Sequence, residues 1–277
     1  MKKLVSIALA SVFSLGVLAL PPASSAAGGH IPETIKFGFC PGPYREMVEK
    51  FIAPQLERKG YKVEYHDFTD YVTPDSALES KDIDANLMQH QTYLSTIVKD
   101  QGLHLASVIN VPTLGLGVFS DKYKSLDELP EGARIGIPTD AVNLARALRI
   151  ASENGLVKLG ANDEKSEIKA SVADIAENPR KLEFIPIEAA QISRSLDSLD
   201  AGFVPGNYAV AAKLDYSKAL AVEKVRENIK NVVAVRDEDK DDLGALLKGI
   251  VTSKEFKEGL EADHYWDSFT RPEWWSK

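Results

Sequence analysis

From Thr34 onward the chain repeats one local grammar: a short apolar run, a turn built on Pro, Gly or Asp, then apolar residues at helical spacing. That alternation builds a mostly parallel sheet with helices on its faces, so the expected fold class is α/β. Residues 34–40 read as the first strand, ending in Pro41-Gly42-Pro43-Tyr44. A helix over 45–59 follows, with Met47, Val48, Phe51, Ile52 and Leu56 on one face. Residues 61–66 form a second strand. A helix ending near Ser80 then precedes a third strand over 83–88 and a helix over 89–100. Open α/β sheets place ligands beyond the carboxyl ends of their strands, which gives Leu87-Met88-Gln89-His90 a positional reason to touch one.

Residues 105–120 read as one long apolar strand that crosses into a second lobe. There the pattern restarts, with a short helix at 125–129, a strand at 134–137, and a helix over 141–154 closed by Gly155. A strand at 182–187, a helix at 189–197 and a strand at 201–204 follow, and 231–236 returns to the first lobe. No long Pro/Gly/Ser linker separates the halves, so lobes joined by crossing strands fit better than independent domains. The expected division is 30–113 with 234–277 as lobe 1, and 114–233 as lobe 2. The acidic run 237–242 lacks the Gly and the spaced terminal Glu of a calcium loop, and reads as a solvated loop and helix start.

At the N-terminus, Lys2 and Lys3 precede an apolar stretch over 4–20, then Pro21, Pro22 and the small residues 23–27. This is the layout of an export signal, expected to span 1–26 and to be cleaved after Ala26 or Ala27. Ser6, Ser11, Ser14 and Gly16 dilute the stretch, which argues against a membrane anchor. The single cysteine, Cys40, lies well past the apolar region, so no lipobox cysteine is expected and the mature chain should be freely soluble, in the periplasm or secreted. One cysteine also excludes an intramolecular disulfide. The net charge of −8 becomes about −10 once Lys2 and Lys3 are removed, which argues against nucleic acid or anionic lipid as a partner.

Signatures of catalysis are missing. None of His30, His66, His90, His104 and His264 stands in a metal-binding or deaminase arrangement, and there is no G-x-S-x-G elbow or phosphate-binding loop. Gly115-Leu116-Gly117 lacks the third Gly and the helix of a dinucleotide site. A binding protein without cofactor or metal is expected rather than an enzyme, with a secreted hydrolase as the alternative.

Several segments then resemble the methionine-binding lipoprotein family (NlpA type) of ABC-importer binding components, over nearly the whole mature chain. They are Pro41-Gly42-Pro43; Asp70-Tyr71-Val72 with Pro74 and Ala77-Leu78; Asp84-Ala85-Asn86 with Gln89-His90-Gln91 and Tyr93-Leu94; Lys124-Ser125-Leu126-Asp127-Glu128-Leu129; Asn143 with Arg146-Ala147-Leu148; Glu188-Ala189-Ala190-Gln191; and Gly206-Asn207-Tyr208-Ala209. The resemblance implies a two-lobed type II periplasmic-binding-protein-like fold, with a hinge and an inter-lobe cleft that closes on a free amino acid. It also implies an ABC permease and ATPase as membrane partners, with the binding protein itself a monomer. An amino-acid sensor or scavenger that presents ligand to a receptor is the alternative.

The chemistry of the matching residues agrees. The Arg146 fork suits an α-carboxylate, and the Asn207 amide can accept from an ammonium while donating to the carboxylate. Tyr71, Met88, His90 and Tyr93 would line the side-chain pocket, where aromatic rings and sulfur suit a thioether. Asn143 completes the expected ligand-binding set. The family usually carries Phe at the position of Met88 and a Thr-Pro-Gly-Pro-His turn in place of Cys40-Pro41-Gly42-Pro43-Tyr44, so the clamp persists while the pocket differs.

Overall fold

The computed structural model describes residues 31–160 and 170–276; the expected export signal and His30 lie outside the described residues. Two five-stranded sheets form among them. The first contains β1 (Thr34–Phe39), β2 (Lys62–Asp67), β3 (Ala85–Asn86), β4 (Leu105–Asn110) and β12 (Val232–Arg236), in the order β2-β1-β3-β12-β4. The second contains β5 (Gly117–Phe119), β6 (Arg134–Pro138), β9 (Glu183–Ile187), β10 (Ala201–Val204) and β11 (Ala221–Val222), in the order β11-β5-β10-β6-β9. The short β7 (Lys158–Leu159) and β8 (Ile175–Glu177) pair with each other.

Four strands of each sheet run in the same direction, as the strand-helix alternation requires, but one strand in each runs against its neighbours. β12 is antiparallel to β3 and β4, and β5 is antiparallel to β10 and β11. These are the first strands laid down after the chain passes from one sheet to the other, so each enters its sheet in reverse. Two crossings therefore join the lobes, over residues 111–116 and 223–231. They lie side by side: the Val111 N–H donates to the Asn231 carbonyl at 2.8 Å and the Glu223 N–H to the Leu116 carbonyl at 2.9 Å. On this topology we propose residues 31–113 with 232–276 as lobe 1 and 114–231 as lobe 2, which moves the second expected boundary to the start of β12.

Each lobe buries its own core. On β12, Val233 and Val235 join Phe37, Phe39, Met47, Ile52 and Trp266 on one face, while Val232 and Ala234 join Leu78, Ile83, Leu94 and Leu105 on the other. That two-residue alternation shows a sheet covered on both sides. Lobe 2 packs Val118, Ile135, Ile137, Leu148, Ile150 and Phe203 together.

The helix expected at 45–59 forms in three parts: α1 (Tyr44–Met47), a π-helical turn Val48–Ile52, and α2 (Ala53–Arg58). Pro54 has no N–H to return to the preceding turn, and the helix widens just before it. The expected apolar face survives, with Met47, Val48, Ile52 and Leu56 fully buried. The other helices used below are α3 (Thr73–Glu79), α4 (Gln91–Gln101), α5 (Ala141–Glu153), α6 (Ala189–Ile192) and α7 (Gly206–Ala211).

Three expectations are corrected. The stretch 105–120 is not one strand: β4 ends at Asn110 and β5 begins at Gly117, because residues between two sheets have no ladder partner and Pro112 has no donor. The strand over 83–88 shortens to Ala85–Asn86, since the chain must leave the sheet to bring Gln89 and His90 to the start of α4. The helix over 189–197 ends at Ile192 and continues as turns. The acidic run does open a helix: a 3-10 turn, Asp237–Asp239, and a π turn, Lys240–Gly244, lead into the helix Ala245–Val251.

Gly206 begins α7 directly against the first crossing; a Cβ there would stand 2.4 Å from the Leu114 carbonyl oxygen and 3.0 Å from that of Gly115. Neither is the end of a flexible side chain. Gly206→Ala is therefore expected to destabilise the protein by about 1–3 kcal/mol and lower its melting temperature in calorimetry. An unchanged melt would show that the crossing yields.

Candidate ligand-binding site

A narrow cavity lies between the lobes, at the carboxyl ends of the strands. All seven residues singled out in the sequence line it: Tyr71, Met88, His90 and Tyr93 from lobe 1, and Asn143, Arg146 and Asn207 from lobe 2. Tyr44, Gln89, Thr113, Leu114 and Asn231 also contribute, with Pro205 and Gly206.

Side chains from the two lobes meet across the gap, so the cleft is closed. The Tyr71 hydroxyl donates to Asn207 Oδ1 at 2.7 Å, and Asn207 Nδ2 donates to the Pro41 carbonyl at 2.9 Å. The Asn207 amide thus holds the lobes together, with one N–H and one lone pair still unused. Gly42 makes this approach feasible: its φ is +142°, and a Cβ on it would sit 2.7 Å from that of Asn207.

His90 and Asn143 form the second contact between lobes. His90 caps α4, its Nδ1 accepting from the Tyr93 N–H at 3.1 Å, so the ring proton sits on Nε2 and is donated to Asn143 Oδ1 at 3.2 Å. Burial, with the nearby Arg146 charge adding to it, pushes the His90 pKa down to about 3, and the ring is neutral. Asn143 is held in turn by Asp140, the N-cap of α5, which accepts from its backbone N–H at 2.8 Å and from Nδ2 at 3.1 Å. Around the apolar part of the cavity the Tyr71 ring lies 5.7 Å from Tyr93 and 5.1 Å from Tyr208, with Met88 beside them in the wall.

Arg146 reaches the cavity from α5 and is buried. Its Nε donates to Glu223 Oε1 at 2.9 Å and Oε2 at 3.0 Å, its Nη2 bonds Glu223 Oε2, and its Nη1 meets Asn143 Oδ1 at 3.3 Å. Of the five guanidinium N–H groups, one on Nη1 and one on Nη2 remain. Glu223 also accepts from Arg149 Nη2 at 3.0 Å and from the Leu116 N–H at 3.1 Å. Burial opposes its charge, yet Arg146 and these donors hold its pKa below the usual carboxylate value; burial opposes the arginine too, and Glu223 holds that pKa above normal.

Glu223 was not legible in the sequence, because Glu223-Lys224-Val225-Arg226-Glu227 reads as a solvated charge run. Thr113 and Asn231 carry no local signal either. They enter the site because the crossings pass beneath it, where Thr113 Oγ1 accepts from the Asn231 N–H at 2.8 Å.

The family model of the NlpA lipoproteins matches residues 35–274. The chain belongs to that family. It is 34% identical to the D-methionine-binding lipoprotein MetQ of Escherichia coli over 213 residues, covering 76% of this chain and 78% of that protein. It is also 34% identical to outer membrane lipoprotein 2 of Mannheimia haemolytica, covering 94% of this chain and 95% of that one. Among solved structures, a nutrient-binding protein from Burkholderia cenocepacia bound to methionine superposes with a TM-score of 0.80 at 38% identity, covering 86% of this chain and 99% of the other. The two-lobed binding-protein fold of this NlpA-family member is thus shown independently of its residue chemistry.

Neutral His90 gives a pH test. Below pH 6.5 the unfolded chain takes up a proton here that the folded chain refuses until about pH 3, so stability present above 6.5 is lost as pH falls through that window. The loss is on the order of 3 kcal/mol by pH 4. Melting temperatures followed from pH 7 to pH 4 should fall less steeply in His90→Gln than in the unmodified protein; parallel curves would refute the assignment.

Proposed function

We propose that this protein is the solute-binding component of an ABC importer, closing its lobes around a free amino acid, methionine or a close analogue. The observation that carries this reading is the Arg146 fork. One edge is fixed by Glu223, while Nη1 and Nη2 each keep an N–H at a closed cavity, enough for a fork to grip a carboxylate bidentately. Beside it, Asn231 makes no side-chain hydrogen bond among the described residues, and Asn207 keeps an unused N–H and lone pair. Those amides suit the remaining polar groups of a zwitterion. The apolar end, with Tyr71, Tyr93, neutral His90 and Met88, suits a flexible thioether chain. The relatives named for methionine support the same ligand.

Binding on one lobe and closure about the crossings would present the closed form to a membrane permease, with ATP hydrolysis left to its ATPase partner. The protein itself transforms nothing in this reading. We further propose release by cleavage after Ala26 or Ala27 rather than lipidation. The one cysteine, Cys40, is buried at the end of β1 with its thiol on the Asp70 carbonyl at 3.0 Å, so a chain beginning there would lack its first strand. The intact mass of the exported protein should match that cleavage, and an added diacylglycerol would contradict it.

Calorimetric titration of ligand-stripped protein with L- and D-amino acids tests the binding reading. Arg146→Lys keeps the charge beside Glu223 but loses the fork, and is expected to weaken binding of the best ligand at least about 30-fold. Undiminished affinity, or steady turnover of ester or peptide substrates by the unmodified protein, would overturn the proposal.

A further inference from the structure

One polar cluster at the cavity wall is not used by the clamp. Asp75, in the first turn of α3, and Asn86, on β3, are wholly buried, and Gln89 is 3% exposed. Asp75 Oδ1 accepts from Asn86 Nδ2 at 2.9 Å and from Gln89 Nε2 at 2.5 Å; Gln89 Nε2 also donates to Asn86 Oδ1 at 3.3 Å. Both hydrogens of the Gln89 amide are thereby engaged. Two acceptors, Asp75 Oδ2 and Gln89 Oε1, are buried with no protein partner.

The imbalance is one-sided. Unmatched buried acceptors are costly, so an arrangement that keeps them fits a guest that brings donors. Gln89 is itself part of the cavity wall. Its amide cannot turn over against an ionised Asp75, because Oε1 would then face Asp75 Oδ1, acceptor against acceptor. Asp75 therefore fixes which end of the amide is committed to the protein and which is left over.

We propose that Gln89 Oε1 accepts a hydrogen bond from the ammonium of the bound amino acid, and that Asp75 is the positioning residue that holds the Gln89 amide in that orientation. The proposal rests on the amino-acid reading above. An ammonium has three N–H groups, and Gln89 Oε1, the spare lone pair of Asn207 Oδ1 and the carbonyl of the Asn231 amide make three neutral acceptors for them.

The arrangement is sensitive to protonation of Asp75, whose pKa burial pushes up to about 6 against the pull of its Asn86 and Gln89 hydrogen bonds. Of the groups around it, the Cys40 thiol at the end of β1 and the Tyr93 phenol on α4 have raised pKa values and stay neutral. Arg236 on β12 is engaged by the carbonyls of Leu78 and Ile83 and by Asp84, Glu79 at the far end of α3 by His104, and Asp70 by Val72 and Thr73. Asp75 is thus the buried group in this set that changes charge between pH 5 and 7; His104, whose pKa Glu79 raises, titrates at the surface at the far end of α3. Its proton frees the Gln89 amide to turn, so ligand affinity falls as pH drops through about 6.

Titration calorimetry with methionine on the ligand-stripped protein tests this. Gln89→Leu and Asp75→Leu are each expected to weaken binding about tenfold or more, and the double variant no more than the weaker-binding single, because the two act as one unit. Asp75→Asn is expected to flatten the affinity profile between pH 5 and 7.5 that the unmodified protein shows. A Gln89→Leu affinity within twofold of the unmodified protein, or losses that multiply in the double variant, would overturn the proposal. Should the leucine variants not fold, a crystal structure of the methionine complex decides: the ammonium nitrogen is expected within about 3.2 Å of Gln89 Oε1, and a separation beyond about 4 Å overturns it. If the unmodified protein binds no α-amino acid at all, the proposed function fails rather than the assignment of Gln89.

Discussion

The buried ion pair between Arg146 and Glu223 is the interaction on which the rest of the site depends. A guanidinium taken out of water is costly, and it is tolerated here because Glu223 covers its Nε edge while Arg149 and the Leu116 N–H share the carboxylate. The pair is also a mechanical link. Arg146 belongs to a helix of lobe 2, and Glu223 opens the crossing that returns to lobe 1. The orientation of the fork is therefore set by the segment about which the lobes must move.

Closure rests on different chemistry. Away from the crossings, where Glu227 bonds Asn110 and the Glu273 N–H, the lobes meet across the cleft through neutral hydrogen bonds of Tyr71, Asn207, the Pro41 carbonyl, His90 and Asn143, with the Tyr208 hydroxyl on the Thr69 carbonyl. Such bonds each contribute only about 1 kcal/mol net, so they can be exchanged for solvent when the cleft opens. A charged pair at the same positions would resist opening. Keeping the ionic contact within one side of the cleft and the closing contacts uncharged lets a guest's own charges tip the balance between open and closed forms.

Much of the architecture was legible because its signals are local. Residues 201–204 read as a strand and form one, since Ala201, Gly202, Phe203 and Val204 are all buried between flanking elements. The face of Met47, Val48, Ile52 and Leu56 was visible from spacing alone. Misreadings arose where a partner decides the outcome. An apolar run such as 105–120 is a strand only where a ladder exists, and β4 and β5 find theirs in different sheets. Pro54 was visible in the sequence, but that the helix would widen before it rather than break shows only in the structure, where Met47, Val48, Ile52 and Leu56 stay in one core on either side of it.

The sequence by itself determined the α/β class, the two-lobed organisation and seven of the cavity residues, because hydrophobic period, turn chemistry and family-matching motifs are properties of neighbouring residues. Only the tertiary structure decided that Glu223 is buried, that Asn231 and Thr113 reach the site, and that Asp75 orients Gln89. Each of these depends on segments far apart in the chain being brought together, and a charged or amide side chain carries no local mark of which distant group it will meet.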